Sequence, residues 1–259
     1  MSALRAITVD NQMPSFRRQD SRIEVVRNLT SGKVLEIARQ SGLVHVIQED
    51  GLEFESELRT ARLMAESPLA FIYDPLSTIF GDQASELQIY SRLFEANQTK
   101  HELLNDMGEF LSALPRPRSI LLQALSATDE LYTNGAKNAW DAEQHPFKDR
   151  PVREGTVEFT AAASENRLVI CCRDSFGMLN LGKLLERLSL CAEHGIGQAI
   201  LHGTWGAGIG AYNTFESAVS YYAGVEPGRH SVVCVAMPIG IGQRQFDQLP
   251  KNLHLISTR

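Results

Sequence analysis

The chain has 259 residues, a formal net charge of −6 and 43% hydrophobic residues. This composition is typical of a folded globular protein and excludes disorder as the dominant state. A mildly acidic chain without clustered Lys and Arg does not favour nucleic acid as a partner, because binding to phosphates requires basic clusters. No apolar run approaches the roughly 18 to 20 residues of a membrane span, so we expect no membrane partner and a cytoplasmic location.

The cysteines show neither CxxC spacing nor the Cys/His spacing of a metal site. They are Cys171, Cys172, Cys191 and Cys234. We expect each of them to be a free thiol that behaves as a small buried apolar residue.

The front of the chain divides into a polar tail over residues 1–30 and a β-rich and helical region of unknown role over residues 31–104. Alternating or β-rich runs predict strands at 33–39, 43–47, 52–58 and 69–73. We expect the first three to form a small antiparallel meander. Apolar residues at helical spacing predict helices across 83–114, ended by Pro115 and Pro117.

Helices and strands mix in the second part of the chain, over residues 105–245, before a short tail at 246–259. The patterns predict helices at 119–140, 179–190 and 211–218, and strands at 156–160, 168–172, 219–222 and 231–237. The run 168–172 is almost entirely apolar, which is typical of a central strand covered on both faces. We predict an α+β fold in which helices cover one face of a mixed sheet.

The first motif is a polar row on the predicted helix 119–140. Glu130, Asn134 and Asn138 are four residues apart, and with Lys137 they share one helix face. A magnesium triphosphate needs a general base, a neutral oxygen ligand and a cation, which such a row supplies. The alternative is a solvated helix face with Lys137 in a salt bridge.

The second motif follows the apolar strand 168–172. Asp174 and Gly177 suit a site in which the backbone approaches a flat ligand and the carboxylate accepts a hydrogen bond from an amino group. An ordinary turn with the sequence Asp-Ser-Phe-Gly is the alternative.

The third motif is a glycine-rich loop that leads into the predicted helix 211–218. Gly206, Gly208 and Gly210 leave backbone N–H groups accessible to an anion, and the helix N-terminus adds a favourable dipole. A structural turn without ligand is one alternative. The loop also fits the dinucleotide fingerprint of Rossmann domains, but a hairpin follows it where that fold requires another crossover.

Taken in order, these motifs resemble the GHKL superfamily of ATP-binding domains. The series is Glu-x-x-x-Asn on a helix, Asp-x-x-Gly after a strand, Gly-x-Gly-x-Gly before a helix, and a closing hairpin with Pro-Gly in its turn. The superfamily includes DNA gyrase B subunits, ninety-kilodalton chaperones, sensor histidine kinases, MutL-type repair ATPases and anti-sigma-factor serine kinases. The resemblance covers residues 105–241 and implies a two-layer Bergerat-type fold with ATP and Mg²⁺ as cofactors.

The resemblance also implies roles for single residues. Glu130 takes the place of the general base, Asn134 that of the magnesium ligand, and Lys137 and Asn138 extend the nucleotide site. Asp174 takes the place of the aspartate that binds the adenine amino group, with Gly177 beside it. The glycines of the third motif take the place of the phosphate-side loop: Gly206, Gly208 and Gly210.

One departure from the family pattern lies in the second motif. The family has Asp-x-Gly-x-Gly, whereas this chain has Phe176 and Met178 at the two glycine positions and a single Gly177 between them. Bulky side chains at these positions favour a second hypothesis, in which the chain keeps the fold as a non-catalytic protein-interaction module with weak or no nucleotide binding.

The layout is closest to that of the anti-sigma-factor serine kinases, because the chain is too short for the second domain of the gyrase, chaperone and repair ATPases. The leading hypothesis is therefore a Mg-ATP-binding regulator that acts as a protein kinase or a partner-switching protein. The N-terminal region is expected to contact a protein partner or substrate. Apolar residues over 83–111 exceed one helical stripe, which predicts a homodimer.

Overall fold

The structure, a computed structural model, covers the greater part of the chain. It describes residues 23–42, 45–95, 100–114, 120–144, 156–201 and 209–258. In 137–144 and 196–201 the description is limited to the helical backbone. None of the helices in these ranges combines the length and apolar character that crossing a membrane requires.

One mixed sheet runs through the described residues. Its strands are β1 (Ile23–Val26), β2 (His45–Gln48), β3 (Gln88–Glu95), β4 (Thr156–Ala163), β5 (Arg167–Asp174), β6 (Ser220–Glu226), β7 (His230–Pro238) and β8 (Asn252–Ser257). Their spatial order is β1-β2-β8-β6-β7-β5-β4-β3. The β1–β2 and β6–β8 pairs are parallel and the other neighbours are antiparallel.

The helices of the described residues lie between these strands in the chain. They are α1 (Ser31–Ser41), α2 (Phe54–Glu66), α3 (Pro68–Tyr73), α4 (Pro75–Phe80), α5 (Lys100–Ser112), α6 (Leu121–Gln144), α7 (Leu181–Leu201), α8 (Ile209–Glu216) and α9 (Gln243–Phe246). Helices and a mixed sheet together confirm the predicted α+β class in this coarse sense.

The larger core lies on the face of the sheet that α1, α5, α6, α7 and α8 cover. Every second residue of β5, namely Leu168, Ile170 and Cys172, faces this layer because side chains alternate along a strand. Buried Leu103 and Met107 of α5 belong to the same core, and they lie four residues apart as a helix stripe requires.

Helices α2, α3 and α4, which precede residue 105, cover the opposite face, so the sheet as a whole has helices on both faces and three layers. The prediction of one covered face was made for residues 105–245, whose helices α6, α7 and α8 contribute to the core on a single face. Val169 and Cys171 of β5 point to the side of α2, α3 and α4, where they share a core with Phe71 and Ile72 of α3. The physical reason is the composition of β5, whose apolar residues on both faces need a cover on both sides. The expectation that this strand is central and two-sided is confirmed.

The predicted N-terminal meander was wrong, because its first and third strands are helices. Residues 33–39 lie in α1, where Val34, Leu35 and Ala38 are buried at helical spacing. Residues 54–58 begin α2, and the buried stripe continues at helical spacing beyond the predicted strand. Residues 69–73 lie in α3, which begins at a proline.

Two further segments differ from the prediction. The first half of the helical stretch predicted at 83–114 contains β3, which pairs along its whole length with β4, and the second half is α5. The tail predicted at 246–259 contains β8, which is inserted between β2 and β6. Strands from both sides of residue 105 therefore share one sheet.

The elements predicted for the second part of the chain are confirmed, with small changes at their ends. The predicted helix at 119–140 is α6, the strands at 156–160 and 168–172 are β4 and β5, and the closing strands are β6 and β7. All four cysteines are buried free thiols, as predicted.

Candidate functional site

Helix α6 carries the first motif and lies close against the sheet. A Cβ atom added at Gly135 would lie 2.9 Å from Cys172 Sγ and 3.3 Å from Val157 Cγ1. Glycine at this position therefore lets the helix backbone approach β4 and β5.

Glu130 and Asn134 are joined by a hydrogen bond along the helix. Asn134 Nδ2 donates to Glu130 Oε1 at 2.8 Å, and both side chains are half-buried. The bond orients the carboxylate and occupies the NH2 group of the Asn134 carboxamide. The carboxamide oxygen is then the atom of Asn134 suited to a cation.

The first turn of α8 approaches the same carboxylate. A Cβ added at Gly210 would lie 1.8 Å from Glu130 Oε2, so only glycine lets α8 and Glu130 come this close. Burial and the charge of Glu130 raise the pKa of Tyr221, which lies on the neighbouring strand β6. The first and third motifs, which are distant in the sequence, therefore meet at Glu130.

Asp174 lies at the end of β5, on the side of the sheet that α6 covers. It is two residues beyond Cys172, the residue that Gly135 approaches, and alternation places both on one face. Asp174 is buried, and its Oδ1 accepts hydrogen bonds from the backbone N–H groups of Phe176 at 2.9 Å and Gly177 at 3.1 Å. These bonds form the turn that the sequence offered as an alternative, and they fix the carboxylate.

Gly177 contacts protein backbone in the described structure. Its φ of 62° is in the left-handed region, and an added Cβ would lie 2.3 Å from the carbonyl oxygen of Glu226 and 2.4 Å from the backbone N of Arg229. Gly228 N donates to Gly177 O at 3.1 Å. The glycine therefore lets the loop after β5 pack against the β6–β7 hairpin. Phe176 and Met178 on either side are half-buried.

The remaining predicted site residues lie outside what the structure describes. The backbone of Lys137 and Asn138 belongs to α6, but their side chains are outside the described part of the structure. Gly206 and Gly208 lie outside the described residues altogether. The described contacts thus join Glu130, Asn134 and Gly210 directly. They connect this group to β5 through Gly135, which the sequence motifs did not include although a glycine inside a helix indicates close packing.

Sequence reasoning also missed a buried polar cluster on the other face of the sheet. We call it the Glu57 cluster; its members are Glu57, Arg167, Tyr222, His254 and His45. Arg167 Nη2 contacts Glu57 Oε1 at 2.5 Å and the hydroxyl of Tyr222 at 2.6 Å. His254 Nε2 lies 3.0 Å from Glu57 Oε2, and His254 Nδ1 lies 3.2 Å from His45 Nδ1.

Glu57 has a cationic partner inside the protein, Arg167. Burial alone raises the pKa of Glu57, but Arg167 and His254 lower it, to about 2 overall. Glu53 adds a second carboxylate to Arg167 at 2.5 Å. No pattern in the sequence indicates this cluster, because its members come from α2, β2, β5, β6 and β8.

Neither a protein-family model nor a curated protein matches the sequence. Among the described residues, no group of three or more His, Cys, Asp and Glu side chains is placed to hold a metal ion. A magnesium ion that binds together with phosphates does not need such a group, because it takes only one or two protein oxygens and completes its shell with phosphate and water.

Proposed function

We propose that the chain is a Mg-ATP-binding regulatory protein of the GHKL type, acting as a protein kinase or a partner-switching regulator. The observation that carries the proposal is that Glu130 accepts a hydrogen bond from Asn134 and that its carboxylate lies so close to Gly210 that a side chain there would overlap it. A general base, an oxygen ligand and a helix N-terminus then lie within one small volume, as phosphoryl transfer requires.

The residues fit a magnesium ion bound with a triphosphate. Asn134 directs its amide toward Glu130, which leaves the carboxamide oxygen as the ligand type that Mg²⁺ prefers. The close approach at Gly210 brings the first turn of α8, with its backbone N–H groups, to the same place. When bound, the ion would neutralise charge on the phosphates.

The roles of the protein groups follow from their chemistry. Glu130 accepts the proton of a protein hydroxyl as that oxygen bonds to the transferred phosphoryl group and ADP leaves. Asp174 accepts a hydrogen bond from the adenine amino group. By the resemblance, Lys137, Asn138, Gly206 and Gly208 complete the site on the phosphate side. Glu130 is the only one of these residues proposed to transfer a proton.

The partner proposed for this site is a protein in the cytoplasm. Residues 31–104, the expected contact region, include α2, α3 and α4, which cover the face of the sheet opposite α6. Exposed Leu69 and Tyr73 of α3 lie on this side, with exposed fractions of 47% and 45%. Apolar exposed side chains of this kind suit contact with a protein.

Nucleotide binding is tested by the melting temperature in a titration with Mg-ATP. At 100 times the dissociation constant a ligand adds about 2.7 kcal/mol, which corresponds to an increase of roughly 5 to 10 °C for a chain of this size. Asn134→Ala should abolish the increase, whereas Asn105→Ala at an exposed position of α5 serves as the matched control. An unchanged melting temperature at millimolar Mg-ATP would contradict the proposal.

Transfer is tested separately with Glu130→Gln. Loss of the base should reduce ADP formation by roughly 100-fold to 10,000-fold while the increase of melting temperature with Mg-ATP persists. Equal loss of binding and turnover would contradict the role of Glu130 and leave the binding proposal in place.

A second candidate function is a protein-interaction module that keeps the fold without catalysis. The turn at Asp174 favours it, because Oδ1 already accepts two backbone hydrogen bonds and half-buried Phe176 stands at a family glycine position. The Mg-ATP titration separates the two candidates, since a non-catalytic module gives little or no increase of melting temperature.

A further inference from the structure

Strand β3 forms one edge of the sheet in the described part of the chain. It pairs with β4 from Gln88 to Glu95 without a bulge, and no other described strand lies on its far side. Natural proteins protect edge strands with charged side chains, Pro, bulges or short length. The strand is eight residues long and has neither Pro nor Lys, and its Arg92 pairs with Glu102 and Asp106 of α5, so within the described part of the chain its edge is a template for another strand.

The two faces of β3 differ in what covers them. Phe94 is buried on the α5 side, where the Tyr90 hydroxyl donates to Asp106 at 3.1 Å and Arg92 pairs with Glu102 at 2.6 Å. On the other face, Ile89 and Leu93 are 54% and 63% exposed. Two large apolar side chains on an open edge strand favour contact with a protein surface.

We propose that β3 pairs with β3 of a second copy of this chain, antiparallel and about a two-fold axis at Ser91. The two sheets would then form one continuous sheet. In this register Ile89 of each copy lies opposite Leu93 of the other, on the same face. The apolar side chains that are exposed in one copy thus cover each other in two.

Several registers would put the same face of both strands on one side of the joined sheet. Among them, the charges that lie opposite each other and the length of the paired overlap favour the axis at Ser91. An axis at Arg92 would place two guanidinium groups directly opposite each other, which is unfavourable. An axis at Tyr90 would place Ile89 opposite Ser91 and shorten the overlap. The axis at Ser91 places Arg92 opposite the ring of Tyr90, a favourable neighbour for a cation. The strand is therefore complementary to itself, which is why we choose a second copy as its partner.

This proposal does not depend on nucleotide binding, and its test is the mass of the chain in solution. Sedimentation analysis should give a dimer for the native chain, and Leu93→Lys should raise the dissociation constant by at least about 30-fold. Leu122→Lys on α6 is the matched control, since Leu122 is 79% exposed and does not belong to the edge strand. A monomeric native chain, or a dimer that Leu93→Lys does not weaken, would overturn the proposal.

A cysteine at the axis tests the register without weakening the pairing. Only residue 91 lies opposite itself, so Ser91→Cys should form a disulfide-linked dimer under mild oxidation, at a separation that a disulfide can span. The native cysteines are buried and do not compete. Gln88→Cys is the control, because residue 88 lies opposite residue 94. Cross-linking at 88, or its absence at 91, would overturn the register.

Discussion

The two faces of the sheet hold their charged groups in different ways. On the α2 side, Glu57 is buried and contacts Arg167, Tyr222 and His254. On the α6 side, Glu130 is half-buried, with Asn134 as its neighbour and the first turn of α8 beside it. The first arrangement pairs buried charges with one another inside the protein, whereas the second keeps a carboxylate partly exposed beside a helix N-terminus.

The largest expected effect comes from removing the cation of the Glu57 cluster. Arg167→Met should reduce the free energy of unfolding by about 3 to 5 kcal/mol, because Glu57 would remain buried without its cation. Arg27→Met, which removes an exposed ion pair with Glu49, should have a much smaller effect. Urea unfolding measures both, and similar losses would mean that the buried Glu57 cluster stabilises the fold no more than an exposed ion pair does.

The pH dependence of stability tests the same cluster. The pKa of Glu57 falls from 4.5 to about 2 on folding, so its contribution is complete above about pH 4.5 and is lost as the pH falls toward 2. The shift corresponds to roughly 3 kcal/mol. Unfolding free energies of the native chain and Glu57→Gln should converge over this range. Curves that remain parallel would show that Glu57 is not stabilised as an anion.

Glycine substitutions compare a glycine that is packed against other backbone with one that faces open space. Gly177 and Gly42 have φ of 62° and 61°, but an added Cβ meets backbone atoms only at Gly177. Gly42→Ala should cost about 1 to 2 kcal/mol of stability, and Gly177→Ala a further 1 to 3 kcal/mol. Equal losses measured by thermal unfolding would mean that the loop after β5 does not pack tightly on the β6–β7 hairpin.

The smallest effect on stability is expected at Gly210. Its added methyl group would overlap the flexible end of Glu130, which can rotate away, so Gly210→Ala should change the free energy of unfolding by less than about 1 kcal/mol. ADP formation should fall as it does in Glu130→Gln, because the carboxylate is displaced. Unchanged turnover, if the chain turns over ATP, would contradict the role of this contact.

The motifs were predicted from the sequence because local patterns carry them. The row Glu130–Asn134 needs only helical spacing, and glycine residues by themselves indicate where the backbone can be approached closely. The order of helices and strands from Pro117 to the end of β7 was predicted for the same reason, since the hydrophobic period changes clearly at each boundary.

The front of the chain was predicted poorly because tertiary packing decides its structure. Short apolar runs such as 33–39 and 69–73 fit either a strand or a helix, and only the need to cover the sheet makes them helical. Strand β8 was predicted as a tail because its partners, His45 and Tyr222, are distant in sequence. The Glu57 cluster could not be predicted for the same reason.

Hydrogen exchange with and without Mg-ATP tests the central claim most directly, because it reports on both faces at once. We expect slower exchange on nucleotide addition in α6 around residues 130–136, in the loop 174–178 and in the first turn of α8, with no change in β2 and β8 around the Glu57 cluster. Slower exchange confined to β2 and β8, or none anywhere at saturating Mg-ATP, would contradict the assignment of the site to the α6 face.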